Sequence, residues 1–349
     1  MAGGAGERFW PLSRIKKPKH LWNVAGDEAC LLELTLARIS KILPFENIFI
    51  VSNFEQREAI LAACPSLSPE RVVSEPVARD TTAAIALGSI LVEKFSGGGD
   101  ASFAVFPSDQ IIEDSLGFEK NLSEAFDVAE STSGLVMIGV KPSYPATGYG
   151  YIQKGEHLEG KNCFKVKRFF EKPNLSRAES YVSSGDFYWN AGIFVWKNSA
   201  IREALRENAF AESTVFDEMR GEILGGAELE GALEKFYPKI EKISVDFSVM
   251  EKAKNAWVVP ACFDWDDVGS WSAIERHYKK DADGNIAIGE FFGREASNCV
   301  VFDAAGRATA VIGLSDLIVV HSQDATLICR KDCSEDVKKL VRELPAKFR

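Results

Sequence analysis

Three glycines and a run of basic side chains open the chain. Gly3-Gly4-Ala5-Gly6-Glu7-Arg8-Phe9-Trp10-Pro11-Leu12-Ser13-Arg14 is followed by Lys17-Pro18-Lys19. Glycines let backbone N–H groups come close to phosphate oxygens. Arg8 and Lys19 would add charge-assisted hydrogen bonds to the same oxygens. Arg8, Arg14, Lys16, Lys17 and Lys19 fall within twelve positions, and no acid intervenes between Arg8 and Asp27. On charge alone a solvated basic loop reads the same way. A dinucleotide fingerprint would need glycine where Phe9 stands, and a P-loop would need Gly-Lys before Ser or Thr; neither is present. What remains is a candidate anion cradle of Gly3, Gly4, Gly6, Arg8 and Lys19.

Carboxylates form the second group. Asp109 directly follows the apolar run Phe103–Phe106. A carboxylate at a strand's carboxyl end can hold Mg²⁺, a hard cation that prefers oxygen ligands and substrate phosphates; Ser108-Asp109 would equally suit a turn. Asp267 lies in a loop flanked by Trp265, Gly269 and Trp271, with Asp266 as its adjacent competitor. Glu75 ends a short apolar run, and Arg79-Asp80-Thr81-Thr82 opens the next helical pattern. One of Asp80 and Thr81 is expected to cap that helix. A carboxylate such as Glu75 suits guanine, whose N1–H and N2–H are neighbouring donors that one carboxylate accepts together. Such a bidentate pairing discriminates between bases by about 1–3 kcal/mol.

These residues need a frame. Ile48–Val51, Arg71–Ser74, Phe103–Phe106 and Leu135–Val140 read as buried strands. Phe54–Ala63, Thr81–Phe95 and Gly117–Glu130 between them read as helices. Apolar strands alternating with helices predict an α/β fold, a doubly wound, mostly parallel sheet covered on both faces. Ligands in such folds sit at the strands' carboxyl ends. From Gly148 to Trp271 the pattern loosens, with helices expected near Asn198–Glu207 and Gly231–Phe236. Past Gly284 short strands recur at Cys299–Phe302, Thr309–Ile312, Leu317–Val320 and Thr326–Cys329, before a closing helix at Glu335–Leu344. The polar stretch Lys279-Lys280-Asp281-Ala282-Asp283-Gly284-Asn285 divides a domain of 1–283 from a small β unit of 284–349.

The glycine turn resembles the signature of the sugar-phosphate nucleotidyltransferases. Its ending Trp10-Pro11-Leu12-Ser13-Arg14 resembles the mannose-1-phosphate guanylyltransferase branch. The resemblance continues through Phe106-Pro107-Ser108-Asp109, Phe170-Glu171-Lys172-Pro173, Trp189-Asn190-Ala191-Gly192-Ile193-Phe194 and Trp265-Asp266-Asp267-Val268-Gly269-Ser270-Trp271. It implies GMP transfer from GTP to α-D-mannose 1-phosphate, giving GDP-mannose and pyrophosphate. It implies Arg8, Lys19 and Asp109 as catalytic groups and Mg²⁺ clamped on the nucleotide by Asp109 and Asp267. Gly3, Gly4, Gly6, Glu75, Arg79 and Asp80 would bind the nucleotide. Gly150, Glu171, Lys172 and Asn190 would meet the sugar phosphate, with Asp246 a weaker candidate. The family pattern commonly has Asn where Asp80 stands and His where Gln110 stands. The tail resembles this branch's short left-handed β-helix. The family also places a buried strand immediately before the glycine turn, where only Met1 and Ala2 stand here. The expectation is a start site lying further upstream, in frame with an apolar run of about five to seven residues.

Composition narrows the alternatives. The 349 residues are 46% hydrophobic and 26% charged, as in an ordinary globular protein of about two domains. A net charge of −10 argues against nucleic-acid and anionic-membrane partners. No window approaches the roughly 18 apolar residues of a membrane span. Seven scattered cysteines without a CxxC pair suit a cytoplasmic location with reduced thiols. A homodimer is the candidate assembly. The four histidines, His20, His157, His277 and His321, show no metal-ligand spacing. Other readings are a different sugar 1-phosphate, a GDP-using phosphorylase and an idle nucleotide-sugar sensor. A glycosyltransferase would favour an Asp-x-Asp motif, which Pro107-Ser108-Asp109-Gln110 lacks.

Overall fold

Leu135–Val140 is apolar throughout because both of its faces are covered. Leu135 and Met137 point into one core, and Val136 and Ile138 into another. The computed structural model that places them describes residues 1–4, 6–23 and 29–349. Ala5 of the glycine turn therefore lies outside the described residues.

In chain order the strands of the larger part are β1 (Ile50–Asn53), β2 (Val72–Glu75), β3 (Ser102–Val105), β4 (Leu135–Val140), β5 (Tyr151–His157), β6 (Phe164–Phe170), β7 (Phe187–Lys197) and β8 (Ala256–Pro260). The helices are α1 (Leu31–Ile39), α2 (Arg57–Ala63), α3 (Asp80–Phe95), α4 (Ser115–Thr132), α5 (Leu175–Ser184), α6 (Asn198–Asn208), α7 (Phe210–Leu224) and α8 (Leu229–Phe236). A six-stranded sheet has the order β3-β7-β4-β8-β6-β5, and β7 also pairs with β5. Residues of α3, α6 and α7 share one core with Leu135, Met137, Phe194 and Trp196. On the opposite face α4 packs against Val136, Ile138, Ile193 and Val195. Alternation by two along β4 and β7 therefore feeds both cores. The α/β class with helices on both faces stands as expected. β4–β8 and β1–β2 pair in parallel, whereas β7 runs antiparallel to both β3 and β4.

The sheet is interrupted at the place where a strand was expected before Gly3. β1 and β2 form a separate two-stranded sheet. Ala2 bridges Ser52 in parallel, donating from its N–H to the Val51 carbonyl at 2.8 Å. The Met1 amine donates to the Phe106 carbonyl at 2.7 Å. These two residues thus span β1 and the chain leaving β3. Beside them is a cavity of about 420 Å³ lined by Leu36, Ile48, Ile50, Ile85, Phe103 and Val105 among others. Burial lowers the Met1 amine to about 6, against pulls from Asp109 and Glu75.

The remaining strands are β9 (Ile286–Ile288), β10 (Phe291–Arg294), β11 (Val300–Asp303), β12 (Thr309–Ile312), β13 (Leu317–His321) and β14 (Thr326–Arg330), closed by α9 (Val337–Glu343). β9, β11 and β13 stack in parallel, while β10 and β12 pair in parallel in a second sheet. A chain that alternates between two stacked parallel sheets is the coil of a β-helix. β14 ends it by pairing antiparallel with β13. Phe9, Trp22, Trp271 and Phe302 join this unit to the glycine turn, with ring centroids 5.2 to 5.6 Å apart in four of their contacts. Indole donors reinforce the junction: Trp271 Nε1 to the Trp10 carbonyl at 3.1 Å, and Trp10 Nε1 to the Phe348 carbonyl at 2.8 Å.

Candidate active site

Gly6 shapes the turn. Its φ of +63° lies in the left-handed region, and a Cβ there would sit 2.7 Å from Lys19 Cβ. Only glycine fits both conditions. The turn seats Lys19 so that its side chain is buried and its ammonium reaches two segments. Lys19 Nζ donates to Asp109 Oδ2 at 3.0 Å and to the Asp267 carbonyl at 2.6 Å. Burial opposes charge on Asp109, yet Lys19 prevails and holds its carboxyl below the ordinary value. Asp267 goes the other way. Burial raises it, and the neighbouring Asp109 and Asp266 add to the rise against the pull of Lys19. Two carboxylates and one ammonium leave a half-buried cluster short of positive charge.

Among the described residues no group of three or more His, Cys, Asp or Glu is placed to hold a metal ion. A two-carboxylate donor set nevertheless suits Mg²⁺, which takes one or two carboxylates plus substrate phosphates and water. Asp266 is excluded as the inward-facing partner. Its carboxylate accepts from Arg276 Nε at 2.5 Å, Arg276 Nη2 at 2.7 Å and the Val268 N–H at 2.8 Å.

Glu75 and Asp109 both act on the Met1 amine, which places Glu75 near this cluster. Glu75 is 7% exposed, and its Oε1 has no hydrogen-bond partner among the described residues. Burial pushes its carboxyl up to about 7. A Cβ on Gly3 would lie 3.4 Å from Glu75 Oε2, so the turn and this acceptor face each other. The Tyr237 hydroxyl lies beside Glu75 and offsets part of the rise that burial imposes on its carboxyl. A buried, unused acceptor is expensive unless a donor arrives. The other two nucleotide candidates are engaged differently. Arg79 donates to the Tyr237 carbonyl at 3.2 Å and the Pro238 carbonyl at 2.7 Å. Asp80 has φ +67° and its Oδ1 accepts from the Thr81 N–H at 2.8 Å at the start of α3. Arg8 is paired with Glu335 of the C-terminal unit at 2.6 Å.

Of the candidates for the sugar phosphate, the structure brings Gly150, Glu171 and Asn190 together. A Cβ on Gly150 would meet Glu171 Oε2 at 2.7 Å and Asn190 Cβ at 3.4 Å. Lys172, at φ +46°, turns back to pair with Glu171 Oε1 at 2.5 Å. Asn190 Nδ2 donates to Asp246 Oδ1 at 2.9 Å. Asp246 is therefore part of this pocket, and burial with the nearby Glu171 charge raises it to about 7. Tyr149 lies between this group and the Asp267 loop. Its ring packs on Trp189 and Trp265, and its hydroxyl is held up by burial, Tyr144 and Asp267.

Sequence reasoning missed Tyr237, which lies in a stretch without a motif, and Arg276 and His277, which follow the Asp267 loop at no diagnostic spacing. Gln110 is settled by the structure: its Nε2 donates to the Ala191 carbonyl at 2.6 Å, tying the Asp109 segment to β7. His20 is buried beside Lys19, and burial lowers it to about 4.

Residues 1–284 match the nucleotidyl transferase family, and residues 289–344 match the MannoseP isomerase/GMP-like beta-helix domain. A mannose-1-phosphate guanylyltransferase of Escherichia coli K12 is 33% identical over 99% of this chain and 73% of its own length. One from Salmonella montevideo is 35% identical over the same shares. A crystal structure from Thermus thermophilus, named as a mannose-1-phosphate geranyltransferase, superposes with a TM-score of 0.84 at 33% identity, covering 98% of this chain and 97% of that one. With its glycine turn, its two-carboxylate cleft and its β-helix tail, this chain belongs to the nucleotidyl transferase family, among relatives named mannose-1-phosphate guanylyltransferases.

Proposed function

We propose that the protein transfers GMP from GTP to α-D-mannose 1-phosphate, releasing GDP-mannose and pyrophosphate. The observation that carries this is Lys19, whose ammonium links the Asp109 carboxylate to the Asp267 loop directly beneath the glycine turn. A phosphate oxygen of the sugar 1-phosphate attacks the α-phosphorus in line. The bond from that phosphorus to the bridging oxygen breaks, and pyrophosphate leaves with the electron pair. A phosphate monoester has its second pKa near 6, so the nucleophile is already largely dianionic. No general base is needed, in keeping with His20 beside Lys19 being buried and held neutral.

The barrier is repulsion between two polyanions. Two unit charges 4 Å apart repel by about 4 kcal/mol at an effective dielectric of 20. Lys19 and Lys172 offset this at the two phosphate ends, and Arg8 joins them on leaving Glu335. Mg²⁺, held by Asp109 and Asp267, would supply further neutralisation of the triphosphate. Glu75 accepts guanine N1–H and N2–H, while Glu171, Asn190 and Asp246 meet sugar hydroxyls. No helix among the described residues is long and apolar enough to cross a membrane. The seven cysteines are unpaired, which suits the reducing cytoplasm we propose as its location.

Pyrophosphate release across four nucleoside triphosphates and a panel of sugar 1-phosphates, with and without Mg²⁺, tests the proposal. Release confined to GTP with mannose 1-phosphate and Mg²⁺ is the expected result. Release with a heptose 1-phosphate or another hexose 1-phosphate instead would reassign the substrate. Silence across the panel would leave a binding protein.

A further inference from the structure

Asp266 and Asp267 are chain neighbours with opposite surroundings. The backbone of Asp266 forms an antiparallel bridge with Ile111, N–H to carbonyl at 3.0 and 2.9 Å in the two directions. That bridge lies two residues past Asp109 and one before Asp267, so it sets the spacing of the two site carboxylates. In extended backbone successive side chains point to opposite sides. Whatever holds Asp266 on one side therefore presents Asp267 on the other.

Asp266 is held firmly. Arg276 grips it with two nitrogens at 2.5 and 2.7 Å, and His277 Nε2 lies 2.8 Å from its Oδ2. Its Oδ1 also accepts the Val268 N–H at 2.8 Å. Val268 has φ +44°, a left-handed conformation that a β-branched residue adopts only when its surroundings enforce it. The Arg276 guanidinium also lies 5.9 Å from the Tyr144 ring centroid, and the Tyr144 hydroxyl donates to the Tyr149 hydroxyl at 3.3 Å. One guanidinium thus touches the loop that carries Asp267 and the aromatic wall of the sugar side.

We infer that Arg276 is a positioning residue: by gripping Asp266, with His277, it keeps Asp267 turned toward Asp109 and couples that carboxylate to the sugar pocket through Tyr144. This rests on the proposed pairing of Asp109 and Asp267 around a divalent ion. The planar fork of Arg276 makes the grip bidentate, which lysine cannot copy.

The test uses the full chain with Mn²⁺ as the probe. Water-proton relaxation reports Mn²⁺ affinity in the presence of GTP, calorimetry in EDTA reports GTP binding without metal, and kcat and KM are taken with Mg²⁺. Arg276→Ala is expected to weaken Mn²⁺ binding about tenfold to a hundredfold, as for other residues that orient a metal ligand. It should lower kcat, leave GTP affinity in EDTA within about twofold, and be rescued poorly by Arg276→Lys. His277→Ala should give a smaller loss in the same direction. Asp267→Asn is the reference. If it leaves Mn²⁺ binding intact, the metal pairing itself fails. If it abolishes Mn²⁺ binding while Arg276→Ala and Arg276→Lys keep wild-type Mn²⁺ affinity and kcat, the positioning role is overturned, whatever happens to Tm.

Discussion

Glu75 combines burial, an unused acceptor atom and a carboxyl raised to about 7. Below pH 7 it is increasingly protonated and loses an acceptor site in the proposed contact with guanine. KM for GTP should therefore rise as pH falls from 8 to 6, while Glu75→Gln should flatten that dependence and raise KM about tenfold or more. Stability runs the opposite way. The carboxyl is raised in the folded state, so its cost is absent below about pH 4 and grows until pH 7. Glu75→Gln should thus gain up to about 3 kcal/mol at pH 8 and nothing at pH 4, read by denaturant melts at both pH values. Lys19→Ala or Asp109→Ala should cut turnover by roughly 10²-fold or more with the far-UV circular dichroism retained. Near-normal turnover in either variant would remove it from the reaction. Lys19, Asp109 and Glu75 were legible because each sits beside a glycine turn or a strand end. The choice between Asp266 and Asp267 was not, since it depends on Arg276, which lies beyond the motif and is reached only through the fold.

The elements that place the site were read well where apolar periodicity was strong. Leu135–Val140 has the expected limits, and the strands and helices on either side of Asp109 differ from expectation by one or two residues. The stretch between Gly148 and Trp271 was read as loose, yet β7 runs through eleven residues there. Its partly buried Tyr188, Asn190 and Gly192 interrupt an otherwise apolar run, and Asn190 bonds Asp246, whereas residues 193–196 are buried throughout. Helix α7 was missed because its apolar positions are sparse: Phe216, Met219 and Ile223 alone carry its large buried surface. The glycine turn is the most sensitive element. Gly6→Ala forces a side chain into left-handed backbone and against Lys19 Cβ, at a cost of about 1–3 kcal/mol. The affected groups are also those proposed to lie under the triphosphate. The expected outcome is a loss of kcat/KM of at least tenfold alongside a lowered Tm, whereas Gly4→Ala, whose added methyl meets none of the described residues within 4 Å, should be mild.

In the molecule taken as one body, the slot between β1 and β3 is bridged by Met1 and Ala2, which bond the Phe106 and Val51 carbonyls. Its apolar lining and parallel direction beside β1 suit an extended β-branched segment. Adding Val-Ile-Val-Ile-Val ahead of Met1 should raise Tm by about 5 °C or more, and a Gly-Ser extension of equal length should not. Equal melting of the two fusions would show that the slot has no preference for a strand. At the far end of the chain, the Phe348 carbonyl holds the Trp10 indole, Asp324 pairs with Arg14 at 2.8 Å, and Glu335 keeps Arg8. Opposite ends of the polypeptide are thereby fastened together at the glycine turn, where we propose that the triphosphate binds. Damage to the tail should then surface as poor affinity for GTP before it surfaces as unfolding. A protein trimmed of Pro345–Arg349 would pass a purification check and still fail at the bench, for want of a carbonyl that steadies one tryptophan.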